Sequence, residues 1–144
     1  MHFSSRLPIA VHILLAIVEF DGKEKTTSTF LAESVNVNPV TIRNILGQLK
    51  NAGLVTINAG QGGASLAKNA TEITLLDIFD AVEKDEMLFH FHENPNPDCP
   101  VGKNVHKVLD EHLFSIQTVM QEKMQTITLK MLIDDMNNCI NNFS

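Results

Sequence analysis

The chain contains no tryptophan and no tyrosine, and it has two cysteines in 144 residues. Lacking those aromatics, it has few of the stacking platforms on which single-stranded nucleic acids lie. Two thiols far apart in sequence, Cys99 and Cys139, do not make the framework of a disulfide-stapled secreted domain. Long hydrophobic runs are missing too. The stretch Ile9 to Val18 is broken by His12, and it is about half the length needed to span a bilayer. Glu19-Phe20-Asp21-Gly22-Lys23 follows it with no small-residue cleavage site, so no secretory signal and no membrane partner are expected. The expected location is the cytoplasm. Disorder is excluded by an apolar content of 44%.

Cations are scarce, 11 against 17 carboxylates, for a net charge of −6. Their distribution matters more than their number. Residues 1–68 carry Arg6, Lys23, Lys25, Arg43, Lys50 and Lys68 against four anions, for +2, whereas residues 69–144 carry −8. A cationic reading head on an acidic body suits a DNA-binding protein, because affinity for a polyanion follows local charge.

The stretch from Thr26 to Ala67 organises the rest. Thr27 is placed to cap a short helix whose Phe30, Leu31 and Val35 share a face. Asn36 tolerates the left-handed conformation of a tight inter-helix turn. Asn38-Pro39 is a helix start: an Asn cap, then a proline where the missing N–H costs nothing. The second helix buries Ile42, Ile45, Leu46 and Leu49, spaced i, i+3, i+4, i+7, and stops at Gly53. Val40, Thr41, Arg43, Asn44, Gly47 and Gln48 are left facing outward, small or polar groups suited to a major groove. Leu54-Val55-Thr56-Ile57 reads as a strand, Gly60-Gln61-Gly62-Gly63 as a turn and Ser65-Leu66-Ala67 as a return strand. The pattern predicts a winged helix-turn-helix. An αα-hairpin and a β-hairpin without a partner would share much of it, but three glycines in four residues make a loop able to lie close to phosphates.

Ser4 or Ser5 should cap a first helix, with Pro8 in its opening turn. That helix is apolar nearly all round, so cover on more than one side is expected, part of it from a second subunit. Beyond the wing, Thr74 and Asp77 form a capping-box pattern before the helix Leu75 to Val82, and Lys84 to Asp98 reads as an irregular connection. A long helix should run from Cys99-Pro100 to about Gln125, on the order of 37 Å. Its Val105, Leu109, Leu113, Ile116, Met120 and Met124 form a near-heptad seam. A helix longer than the rest of the domain is wide buries such a seam outside its own fold, so a homodimer is expected. Thr128 caps a last helix, Leu129 to about Asn137, and Ile73-Thr74-Leu75 and Ile127-Thr128-Leu129 echo one another as two similar caps. The expected fold is mainly α with a small β-hairpin, with residues 1–83 a winged helix-turn-helix DNA-binding unit. Residues 84–144 supply a connecting loop, a long dimerisation helix and a C-terminal helix.

Reactive groups are few. Cys99 stands at the start of the long helix, where the positive dipole end favours a thiolate while Asp98 opposes it, making it a candidate redox or electrophile sensor. His90, His92, Cys99 and His106 could be drawn as a zinc site, but their spacing fits no compact motif, so no metal and no cofactor are expected. Cys99 with any of those histidines would be the sole nucleophile-base pair, without an oxyanion site, and no enzyme is expected.

These residues together resemble the Rrf-two family of bacterial winged-helix transcription regulators. The resemblance is carried by Ser5-Arg6 leading to Ile9-Ala10 and Leu14, by Leu31-Ala32-Glu33, by Leu49-Lys50-Asn51-Ala52-Gly53-Leu54-Val55, by Gly60-x-Gly62-Gly63 and by Ile73-Thr74-Leu75. Asn96-Pro97-Asp98-Cys99-Pro100-Val101-Gly102 is most similar to the YwnA-like branch. The resemblance implies a regulator, most simply a repressor, bound as a homodimer to a palindromic operator in double-stranded DNA. It implies that the dimer is built on the long helix and the first helix, and that Asn38, Val40, Thr41, Arg43 and Asn44 contact DNA. The candidate contact set adds Arg6, Thr27, Gln48 and Lys50, with Asn58, Gln61 and Gly62 on the wing. Ala59 stands where some members insert an arginine. Cluster-bearing members place three cysteines between wing and long helix; this chain has Cys99 alone there, so no iron–sulfur cluster is expected. The alternative is a winged helix used only for protein contacts, distinguished by its weaker dependence on salt.

Overall fold

The computed structural model describes residues 4–58, 62–83 and 95–142. Three side chains end extended backbone and start helices. Thr27 Oγ1 accepts from Phe30 N at 3.1 Å, opening α2 (Ser28–Val35). Asn38 Oδ1 accepts from Val40 N at 2.8 Å, opening α3 (Pro39–Asn51). Thr74 and Asp77 exchange two bonds of 3.0 Å, opening α4 (Leu75–Val82) with the complete capping box. The first helix, α1 (Arg6–Glu19), starts differently: Ser5 occupies the cap position without a side-chain bond, and Ser4 Oγ accepts from Arg6 N at 3.1 Å.

Helix ends follow the same local chemistry. Asn36, with φ 62°, takes the left-handed conformation after α2. Gly53, with φ 77°, ends α3: its N–H bonds Lys50 O at 2.9 Å and Leu54 N bonds Leu49 O at 3.0 Å. That pair of hydrogen bonds is the Schellman arrangement, and Leu49 and Leu54 are both buried beside it.

Because Leu54 closes the helix, the first strand is shorter than expected. β1 (Val55–Ile57) pairs antiparallel with β2 (Ala64–Leu66), in the register Val55↔Leu66, Thr56↔Ser65, Ile57↔Ala64. The return strand starts at Ala64, one residue earlier than the sequence pattern indicates. Thr26, buried at 4% exposure, sets that start: its Oγ1 donates to Ala64 O at 2.8 Å and its carbonyl accepts from Ala64 N at 3.2 Å.

The core gathers on α1, which touches α2, α3, α4, β2 and the final helix. Ala10, Ile13, Leu14, Ala16 and Ile17 are buried there against Leu31, Ile42, Ile45 and Ile78. The chain thus supplies much of the cover expected from a second subunit, leaving Leu7, Ile9, Val11 and Leu15 partly buried.

After α4, the described chain resumes before α5 (Pro100–Gln125), 26 residues long or about 39 Å. The last helix, α6 (Leu129–Asn142), continues five residues past the expected end at Asn137. The two Ile-Thr-Leu tripeptides do more than cap. Leu75 N bonds Ile127 O at 2.7 Å, and Leu129 N bonds Ile73 O at 2.8 Å, an antiparallel bridge between Thr74 and Thr128. Ile73 and Leu129 are fully buried by it, so α6 is anchored in the same core as α1.

Candidate nucleic-acid interface

Helix α3 has two unlike faces. Ile42, Ile45, Leu46 and Leu49 are buried, while Arg43, Asn44 and Lys50 are exposed and Val40 is 52% exposed. Thr41, Gly47 and Gln48 are half-buried at the margins. No acidic residue occurs between Pro39 and Asn51, so Arg43 and Lys50 act on an outward surface without internal neutralisation. Lys50 also lies in the last turn, where a cation complements the helix dipole. Asn38 is exposed, but its Oδ1 is held by Val40 N, which leaves its side-chain amide N–H groups as the donors it can offer to a ligand.

The wing lies beside this face. Asn58 N bonds Gly63 O at 3.0 Å and Gly62 N bonds Asn58 O at 3.1 Å. Gly62 has φ 70°, a conformation that favours glycine, and a Cβ there would make a tight 3.1 Å contact with Thr27 Cγ2. Thr27 therefore has two structural tasks, capping α2 and backing the wing. Between wing and α3 runs an open groove of about 370 Å³, bordered by Thr27, Ser28, Arg43, Ile57 and Gly62. Ile57, 41% exposed, was not singled out by the sequence pattern, which assigns it only to a strand. Gln61, the remaining wing candidate, lies outside the described residues, as do Ala59 and Gly60.

Arg6 and Gln48, both candidate DNA contacts, are brought together. Arg6 Nη2 donates to Gln48 Oε1, and Arg6 Nε donates to Val82 O at 3.3 Å. Both side chains are half-buried. No pattern local to either residue could announce a pairing across 42 positions.

Behind α3 lies a second open groove, of about 390 Å³, bordered by Gln48, Asn51, Lys68, Asp77 and Asp80. Partial burial, with the neighbouring Asp77 carboxylate, raises the Asp80 pKa above its ordinary value.

Cys99 is half-buried at the cap position of α5 and makes no side-chain capping bond. Backbone N–H groups of Gly102 and then Val101 lower its pKa, outweighing desolvation. The preceding turn is tight: Asn96 Oδ1 accepts from Asp98 N at 3.0 Å, and a Cβ on Gly102 would collide with the Asn96 carbonyl. His106 pairs with Asp110 one turn along α5, at 3.1 Å. His90 and His92 lie outside the described residues. Cys139 is exposed on α6.

The six residues of the expected dimer seam are all exposed or half-buried. None of the 26 residues of α5 is buried: Leu109 is 46% and Ile116 51% exposed, while Val105, Leu113, Met120 and Met124 are half-buried. Among the described residues, none buries the stripe through Met120 completely.

Known proteins match this architecture over almost its whole length. The family described as Rrf2, iron-dependent transcriptional regulator, matches residues 3–135. YwnA of Bacillus subtilis (strain 168), assigned as an HTH-type transcriptional regulator, is 46% identical over 127 residues, 88% of this chain and 93% of its own. A crystal structure of a protein assigned to DNA binding has 40% identity and a TM-score of 0.74, covering 90% of this chain and 99% of that one. CymR, the global cysteine regulator of B. subtilis, has the same fold at 22% identity, with a TM-score of 0.67 over 93% of this chain and 97% of its own. The family description mentions iron. Among the described residues no three His, Cys, Asp or Glu side chains gather, and one thiol caps α5 while the other stands on α6. What fits is the scaffold and its outward helix. The chain belongs to the Rrf2 family of DNA-binding transcriptional regulators, and it is not an enzyme.

Proposed function

We propose that the protein is a homodimeric repressor that reads a palindromic operator with α3 and acts in the cytoplasm. The observation that carries this is the outward face of α3, where Val40, Arg43 and Asn44 stand exposed on a helix with no acid, beside a glycine wing. A side chain at each of these positions can reach base edges when the helix lies in a major groove. The exposed apolar surface of α5 supports dimerisation, since Leu109 and Ile116, on one face of the helix, stand in water, which is unfavourable. Among the described residues no helix is long and apolar enough to cross a membrane, consistent with a DNA target.

Selection of duplexes from a random pool, followed by footprinting, tests this. Two half-sites separated by about one helical turn, roughly 34–36 Å, are expected. Affinity should fall steeply with added salt. Recovery of no enriched duplex, or binding indifferent to salt, would return the winged helix to the role of a protein-contact module.

The proposal extends to signal. The lowered Cys99 pKa and its place where α5 begins support a response to thiol oxidants or electrophiles. In a Cys139→Ser background, Cys99 should react with iodoacetamide faster than free cysteine near neutral pH, and the modified protein should release its operator. Slow labelling, or a Cys99→Ser protein that still responds to the reagent, removes this part.

A further inference from the structure

We infer that Arg6 is a positioning residue, which fixes the rotation of α3 for reading DNA, and that it does not contact phosphate. The inference rests on the operator-binding proposal above and assigns a task to a cation that sequence alone counts among the DNA contacts. Arginine offers a planar fork of donors, able to satisfy two acceptors on different elements at once. Here the fork spans three helices. The backbone of Arg6 starts α1, its Nε holds Val82 O at the end of α4, and its Nη2 holds Gln48 Oε1 on α3.

Each acceptor explains why a cation stands there. Val82 closes α4, where carbonyls lack helical partners and the dipole favours positive charge. Gln48 is four residues beyond Asn44 and eight beyond Val40, so the three share one row of α3. Holding the half-buried end of that row fixes the direction in which its exposed end points. α3 packs through apolar side chains, which resist sliding but carry little directional preference. A charge-assisted hydrogen bond supplies the direction. With two of its donors committed inside the fold and its side chain half-buried, the guanidinium is poorly placed for a phosphate.

The test uses the full chain and a selected operator, with Arg6→Gln, Gln48→Ala and the double variant measured at a temperature where circular dichroism shows each to be folded. Positioning predicts that each single variant loses about ten-fold in operator affinity, with non-specific duplex affinity and salt slope unchanged. The double variant should then be no weaker than the weaker single, because both remove one interaction. A salt slope lower by about one, with parallel loss on non-specific DNA, would make Arg6 a phosphate contact and overturn the inference. Unchanged operator affinity in the folded variants would reduce it to a stability element and overturn it equally. Arg43→Ala runs alongside: if the wild type and this variant bind all duplexes alike, the operator proposal fails first and separately.

Discussion

At the scale of single residues, exposure and charge decide what each position can do. Arg43 projects from a helix face without any carboxylate of its own. Arg43→Ala should therefore weaken operator binding by about 1–3 kcal/mol and relax preference at the base it reads; fluorescence anisotropy against single-base variants measures both. An equal loss on every sequence would mean a phosphate contact instead. Asp80 illustrates a cost rather than a use. Its pKa is raised by partial burial and by Asp77, so the folded state binds its proton more tightly than the unfolded chain does. Stability from this group is present at low pH and declines as pH rises from the ordinary carboxylate value through the raised one. Asp80→Asn should raise the melting temperature at pH 7, and the difference should vanish below about pH 4. A gap independent of pH would contradict the linkage. The outward polar face of α3 was legible because polar groups stood out of an apolar periodicity; the Arg6–Gln48 bond was not, because no local pattern encodes a partner 42 residues away.

Elements were set largely by their ends. Thr27, Asn38 and Thr74 start the helices that the caps predicted, and Asn36 and Gly53 adopt the left-handed conformations that stop them. Such signals are local, since a side-chain oxygen within three residues of an orphan N–H needs no tertiary partner. Thr74→Ala should cost about 1 kcal/mol of stability, measured by urea unfolding, and Thr74→Ser should restore most of it. Where elements met one another, local signals missed. β1 lost Leu54 to the closing turn of α3, and Thr26 drew the start of β2 back to Ala64. The echo of Ile73-Thr74-Leu75 and Ile127-Thr128-Leu129 was visible as two caps. That the two segments bond to each other, burying Ile73 and Leu129, became visible only in space.

For the whole molecule the governing quantity is apolar surface. The core around α1 is closed by the chain's own helices, whereas α5 has no buried residue. Leu113, half-buried in the single chain, sits at the middle of its seam. Leu113→Asp should convert a dimer to monomer in sedimentation velocity and abolish tight operator binding, because a lone reading head loses the second half-site. A monomer that still binds tightly would refute the seam. A wild-type chain that sediments as a monomer at micromolar concentration would do the same.

Sequence alone determined the helix boundaries set by caps, the buried stripe of α3, the polar outward face that ends in Gln48 and the apolar stripe of α5, since all arise from chemistry within one or two turns. Tertiary structure decided which of those polar groups stay free. It turned Arg6 and Gln48 toward each other, used Thr26 to hold the wing, and tied α6 into the core through Leu129. Each of these pairs residues tens of positions apart, and such partners are chosen by packing, which brings distant donors and acceptors together only once the apolar faces have closed.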